Sequence, residues 1–178
     1  IYVAPSRLAA RLQEGGGPLV LFDVGLGAAT NAISAWHVSE AQSPSARLLE
    51  IVSFEHDLDA LQLALRPENA AALRLTDEGA NAHAAATALL VAGRHETPRT
   101  RWRLCLGDFP VRLAEIPDRS VDIVFWDLFS PRTAPALWTV AMFKSMRRVC
   151  RDGATLHTYS ASTSTRSGLL LGGLDRKS

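Results

Sequence analysis

Apolar residues along this chain fall into short runs separated by longer stretches with helical spacing. Runs rich in Val, Ile, Leu and Phe at Leu19 to Val24, Leu48 to Phe54, Trp102 to Leu106, Val121 to Trp126 and Ala154 to Tyr159 are bounded by turn residues, and they predict five strands. Between them the pattern predicts helices over Ala28 to Val38, Asp57 to Leu65, Glu78 to Ala92, Pro110 to Ile116, Ala134 to Val149 and Thr163 to Leu171. Strands that alternate with helices of this length require right-handed crossovers and a mostly parallel sheet covered on both faces, so the fold class is α/β. Ser39 to Arg47 and Gly93 to Arg101 read as surface loops, and Gly15 to Gly17 part a short leading helix from the first strand.

Composition narrows this only a little. With 178 residues, 47% of them hydrophobic and 21% charged, the chain is expected to form a single domain over 1–178. The formal net charge of +1 gives no global attraction to nucleic acid or to an anionic membrane, so any such contact must be local. Cys105 and Cys150 sit inside apolar runs, as reduced thiols of a cytoplasmic protein do. There is no leader pattern and no apolar run of membrane-spanning length, so no membrane partner is expected. The five histidines are scattered without ligand spacing, and no metal site is expected.

Candidate chemistry lies where a parallel sheet binds ligands, beyond the carboxyl ends of its strands. The first strand runs into Asp23, Gly25 and Gly27; the second ends at Glu55; the third is followed by Asp108 and the fourth by Asp127, with Phe129 and Pro131 close behind. Two glycines let a backbone approach a ligand closely, a carboxylate can accept both hydroxyl protons of a ribose, and another can receive an adenine amino group. A carboxylate rim repels a pyrophosphate yet tolerates a cationic sulfonium. Thr30 also stands where a dinucleotide turn has its last small residue, so the set points to S-adenosylmethionine rather than NAD. Each member has a structural alternative: a plain tight turn at the glycines, helix capping by Glu55 or Asp108, and a cap on the following turn for Asp127.

The segments "FDVGLGAATNAISAW", "IVSFEHD", "LCLGD", "DIVFWDLFSPRTAPALWTVAMFKSMRRV" and "GATLHTYSASTSTRSGLLLGG" resemble the methyltransferase domain of the MnmC family, which modifies the wobble uridine of bacterial tRNA. That resemblance implies a Rossmann-like class I fold that uses S-adenosyl-L-methionine to methylate the aminomethyl nitrogen of a tRNA nucleoside. It assigns Gly25 and Gly27 to the methionine and ribose, Glu55 to the ribose hydroxyls, Asp108 to adenine and Asp127 to the methyl-transfer centre. Pro131, Trp138 and Tyr159 then shape the acceptor pocket together with Phe129, and Asp23 joins the cofactor set. The family's third glycine is Ala29 here, which is tolerable if its φ is negative. Last antiparallel strands and the oxidase half of fused enzymes are not seen, so the domain is expected to be shortened at one or both ends, with an oxidase acting in trans.

An amine acceptor must arrive unprotonated, and Asp127 is the carboxylate expected to orient it. For RNA, the arginines of "RHETPRTRWR" and of "KSMRRVCR" are candidate phosphate contacts, with a solvated surface as the equal alternative. Two further functions stay open: an aminopropyltransferase related to spermidine synthases, and a non-catalytic S-adenosylmethionine-binding module.

Overall fold

A computed structural model describes residues 2–70 and 80–174. In chain order the elements are α1 (Leu8–Gln13), β1 (Leu19–Val24), α2 (Thr30–Glu40), β2 (Leu49–Glu55), α3 (Asp59–Ala64), α4 (Pro67–Ala70) and α5 (Ala80–Ala92). There follow β3 (Arg94–Glu96), β4 (Thr100–Leu106), α6 (Phe109–Ala114), β5 (Val121–Trp126), a 3-10 turn (Pro135–Trp138), α7 (Val140–Val149), β6 (Cys150–Thr158) and α8 (Thr163–Leu171). They build one six-stranded sheet in the order β3-β4-β2-β1-β5-β6, parallel throughout except for β3. The order reverses between β1 and β5. Both strands end on the same edge, which is where this architecture opens a crevice.

The five expected strands are all present, and the differences have local causes. Arg94–Glu96, expected to be loop, is a short edge strand antiparallel to β4, because the turn around Pro98 brings Arg94 back opposite Arg103. The strand expected from Ala154 starts at Cys150; its register with β5 shifts between Val121 and Ile123, and Gly153 at φ +81 lets the chain bulge through a turn-like "RDG". The helix expected over Ala134 to Val149 breaks at Thr139, whose hydroxyl accepts from Met142 N at 3.2 Å and so starts α7 afresh. Residues 78–79 of the helix expected from Glu78 lie outside the described residues.

Alternation along the strands divides the core in two. Leu19, Leu21, Ile51, Trp102 and Phe125 face α1, α2 and α5, where Leu8, Leu12, Ile33, Trp36 and Leu89 cover them. Phe22, Val24, Val52, Phe54 and Trp126 face the other way, onto Phe109, Leu113, Phe143 and Met146. Each fully buried Leu or Phe contributes about 1.5–3 kcal/mol, so both faces are needed to hold the sheet. Polar anchors fix the register at the other end: buried Asp122 accepts from Val20 N at 2.9 Å and from Arg151 at 2.6 Å. Arg148 ties α7 to α6 through the carbonyls of Leu113 and Ile116, each at 2.8 Å, and pairs with Asp118.

Candidate active site

At the carboxyl end of β1 the chain turns so tightly that only glycine fits. Gly25 has φ +93, and a Cβ there would lie 2.6 Å from the Asp127 carbonyl oxygen. Gly25 N and Leu26 N both donate to the Phe54 carbonyl, at 3.1 and 3.2 Å, and Asp127 N donates to Val24 O at 2.9 Å. This stitching draws the ends of β1, β2 and β5 into one rim. Gly27, at φ +51, has open space where a side chain would be, so its backbone is exposed to an approaching ligand.

Two residues on, the chain departs from expectation. Ala29 takes φ +62, the left-handed conformation, and begins α2 as its N-cap. The condition of a negative φ therefore fails: the turn keeps the glycine geometry and the methyl, fully buried, is forced into it. Such a conformation costs an L-residue about 1–2 kcal/mol.

The carboxylates have different partners. Glu55 accepts from Gly27 N at 2.9 Å on one oxygen and from His56 N at 2.8 Å on the other, so it is fixed by the turn it faces rather than by the start of α3. Each oxygen keeps a second lone pair for two further hydrogens. Asp127 accepts from Tyr2 Oη at 2.9 Å and from Asn31 Nδ2 at 2.6 Å, which replaces the alternative of a cap on the turn that follows. That turn is closed instead by Ser130 and Thr133. Asp108 stands at the N-cap of α6, exposed, and makes no side-chain capping bond, so its carboxylate is available.

Asp23 differs from all of these. It is fully buried inside β1, takes Ser53 Oγ on one oxygen at 2.8 Å, and its other oxygen has no partner among the described residues. Trp102 Nε1 in turn donates to Ser53 Oγ at 2.9 Å. Burial pushes the Asp23 carboxyl up to about 7; the Ser53 hydrogen bond opposes this, and the charges of Asp127 and Glu55 add to it. Three carboxylates close enough to influence one another favour a positively charged guest. The Tyr2 hydroxyl is also raised, by burial first and then by its bond to Asp127.

Aromatic residues make up the β5 side of the rim. Trp138 Nε1 donates to the Phe129 carbonyl at 2.8 Å, and Tyr159 Oη donates to the Leu128 carbonyl at 3.1 Å. Trp138 and Tyr159 meet edge to face at 6.0 Å, while Phe129 is 71% exposed and Pro131 is half-buried beyond it. A hollow of about 80 Å³ lies among Gly25, Gly27, Glu55, Asp127, Leu128 and Phe129. Since drug-sized ligands occupy about 300 Å³ or more, the hollow holds at most part of an adenosyl ligand. Of the residues named from sequence, Gly25, Gly27, Glu55, Asp127 and Phe129 meet around this hollow, whereas Asp23 lies buried beneath it and Asp108 stands apart at the start of α6. Tyr2 and Asn31 escape the sequence reading; Asn31 is the second residue of the helix that follows the glycines, but nothing in the sequence links Tyr2 to a residue 125 positions away.

A parallel sheet with a glycine turn and a ring of carboxylates at its switch point defines a Rossmann-like domain for an adenosyl group. Residues 77–178, more than half of the chain, match a family model described as S-adenosyl-L-methionine-dependent methyltransferase, and the chain belongs to that family. It is similar to the tRNA 5-methylaminomethyl-2-thiouridine biosynthesis bifunctional protein MnmC of Ectopseudomonas mendocina (strain ymp), 31% identical over 97% of this chain and 27% of that protein. The protein of that name from Pseudomonas aeruginosa (strain UCBPP-PA14) is 32% identical, again over 97% and 27%. The chain therefore spans about a quarter of the length of these curated relatives. Among solved structures, MNMC2 from Aquifex aeolicus superposes with a TM-score of 0.75 at 28% identity, over 96% of this chain and 52% of that one. Precorrin-6y C5,15-methyltransferase from Geobacter metallireducens GS-15, with a TM-score of 0.50 at 15% identity over 94% of this chain and 65% of that one, shares the fold alone. No described helix is long and apolar enough to cross a membrane, and the described residues contain no cluster of three metal-ligating side chains.

Proposed function

We propose that the chain methylates the exocyclic aminomethyl nitrogen of a tRNA wobble uridine, at the rim between β1 and β5. The observation that carries this is Asp127, held on both oxygens by neutral donors directly beside the glycine turn. The donor set suits the cofactor: the spare lone pairs of Glu55 for two ribose hydroxyls, the uncapped Asp108 for an adenine amino group, and Gly25 and Gly27 for close backbone contact. Bound S-adenosyl-L-methionine supplies a methyl group on a positively charged sulfur.

The rest falls to side chains of this chain. Tyr2 and Asn31 fix the Asp127 carboxylate in one orientation, and each oxygen retains a lone pair that can accept from an incoming amine. Accepting from the amine aims its nitrogen lone pair, and the same carboxylate stabilises the ammonium that forms and draws off its proton. Phe129, Trp138 and Tyr159 give an aromatic wall on which a pyrimidine ring can stack. The names of the relatives support the acceptor. An oxidase acting in trans as the source of the amine, and a cytoplasmic location alongside tRNA, belong to the same proposal.

The experiment offers the chain labelled S-adenosylmethionine with tRNA bearing the unmethylated aminomethyl uridine, and in parallel decarboxylated S-adenosylmethionine with putrescine. Label in the tRNA nucleoside is expected. Product only with putrescine would establish the aminopropyltransferase instead, and product in neither arm would leave a binding module.

A further inference from the structure

Two stretches of the chain are rich in arginine, and the fold treats them differently. In α7 and β6, Arg147 donates to the Cys150 carbonyl at 3.1 Å, Arg148 donates to two carbonyls of α6 and its C-terminal turn, and Arg151 pairs with Asp122. These three guanidiniums brace the sheet and its helices. In the β3–β4 hairpin Arg99 donates to the Ser43 carbonyl, and Arg101 meets Glu50 at 3.4 Å. Arg94 and Arg103 do neither. They stand directly opposite each other in the antiparallel register, both exposed, with no ion pair and no side-chain hydrogen bond among the described residues.

Like charges facing one another across two strands destabilise the pair, and a three-residue edge strand has little other pairing to offset that. Nearby acids do not relieve it, since Glu50 pairs with Arg101 and Glu96 also faces Arg101 in the register. Alternation places Arg94, Arg101 and Arg103 on one face of the sheet, where they line an open groove of about 310 Å³ with Glu50, Val52 and Glu96. An anion bridging Arg94 and Arg103 would turn the repulsion into binding, and planar guanidinium forks match phosphate oxygens two by two. Arg103 lies three residues before Leu106, the last residue of β4, so the groove opens about 10 Å from the carboxylate rim at about 3.3 Å per residue.

We infer that Arg94 and Arg103 together grip a backbone phosphodiester of the RNA whose base enters the rim, a site that rests on the tRNA acceptor proposed above. The test is binding of unmodified tRNA to the whole chain by fluorescence anisotropy across a salt series. In R94Q/R103Q affinity falls about tenfold or more, and the slope of log affinity against log salt flattens by about 0.7 to 0.9 for each phosphate no longer neutralised. S-adenosylmethionine affinity stays at the parent's value. The R94E variant places opposite charges across the hairpin, so its melting temperature rises while tRNA affinity falls.

Unchanged tRNA affinity and slope in R94Q/R103Q would overturn the site and leave the acceptor reading standing, as would a raised melting temperature in R94E with unchanged tRNA binding. A parent chain that binds no tRNA at all would overturn both. Stabilisation of the parent by inorganic phosphate at matched ionic strength, together with unchanged tRNA affinity in R94Q/R103Q, would mark a free-anion site and overturn the RNA assignment.

Discussion

Asp23 carries a pH dependence into the stability of the fold. Its carboxyl is raised from 3.8 to about 7, so between those values the folded chain holds a proton that the unfolded chain has released. Stability therefore falls as pH rises through that window and levels off above it. At about 1.4 kcal/mol per unit the loss amounts to at most about 4 kcal/mol. Denaturant titrations should show the Asp23→Asn chain without this slope and more stable than the parent at mildly alkaline pH; an unaltered slope would contradict the burial of an ionisable group there. Asp127 has a chemical role to test. Asp127→Asn should lower methyl transfer about 10²–10⁴-fold while S-adenosylmethionine still binds, and Tyr2→Phe, whose ring keeps its place 5.4 Å from Phe125, should lower kcat with little change in KM. Equal kcat in Tyr2→Phe and parent would remove the orienting role of the phenol. The carboxylates could be named from sequence because each follows an apolar run, which sets its place in the fold. Tyr2 could not, since its partner is brought to it only by tertiary packing.

Among the elements, Arg148 shows how a charged side chain becomes part of the packing. It crosses from α7 to the carbonyls of Leu113, which also accepts from Ile116 N at 3.2 Å, and of Ile116 in the turn after α6, where a helix terminus leaves acceptors to be filled. Arg148→Met keeps the apolar stem but strips the donors, and chemical denaturation should report a loss of about 2–3 kcal/mol; a loss below about 0.5 kcal/mol would mean that water serves those carbonyls equally well. Strand existence followed from apolar runs because β1, β2 and β5 are buried on both faces, while β4 buries Thr100 and Trp102 on one face only. Edges were harder to read. β3 has only three residues and two of them are charged, so its pairing depends on the hairpin and not on any apolar signal. The break at Thr139 depends on a hydroxyl competing for the backbone, which helical spacing does not register. Ala29 is a similar case: a small residue in a glycine turn reads as harmless until its φ of +62 is seen.

For the molecule as a whole, the strand order explains why residues from four separate strand ends meet. Reversal between β1 and β5 leaves a gap at one edge of the sheet, and the glycine turn, Glu55, Asp108 and Asp127 all rise from that edge. Calorimetric titration of S-adenosylmethionine into the parent chain and into Glu55→Ala decides whether the methyl donor sits there. One site is expected in the parent, with affinity at least about tenfold weaker in Glu55→Ala from the loss of about 1.5–3 kcal/mol in hydrogen bonds to a charged group, and both proteins should melt cooperatively. Equal affinity in the two folded proteins would overturn this placement, because the donor would then lie away from the carboxyl ends of β1 and β2.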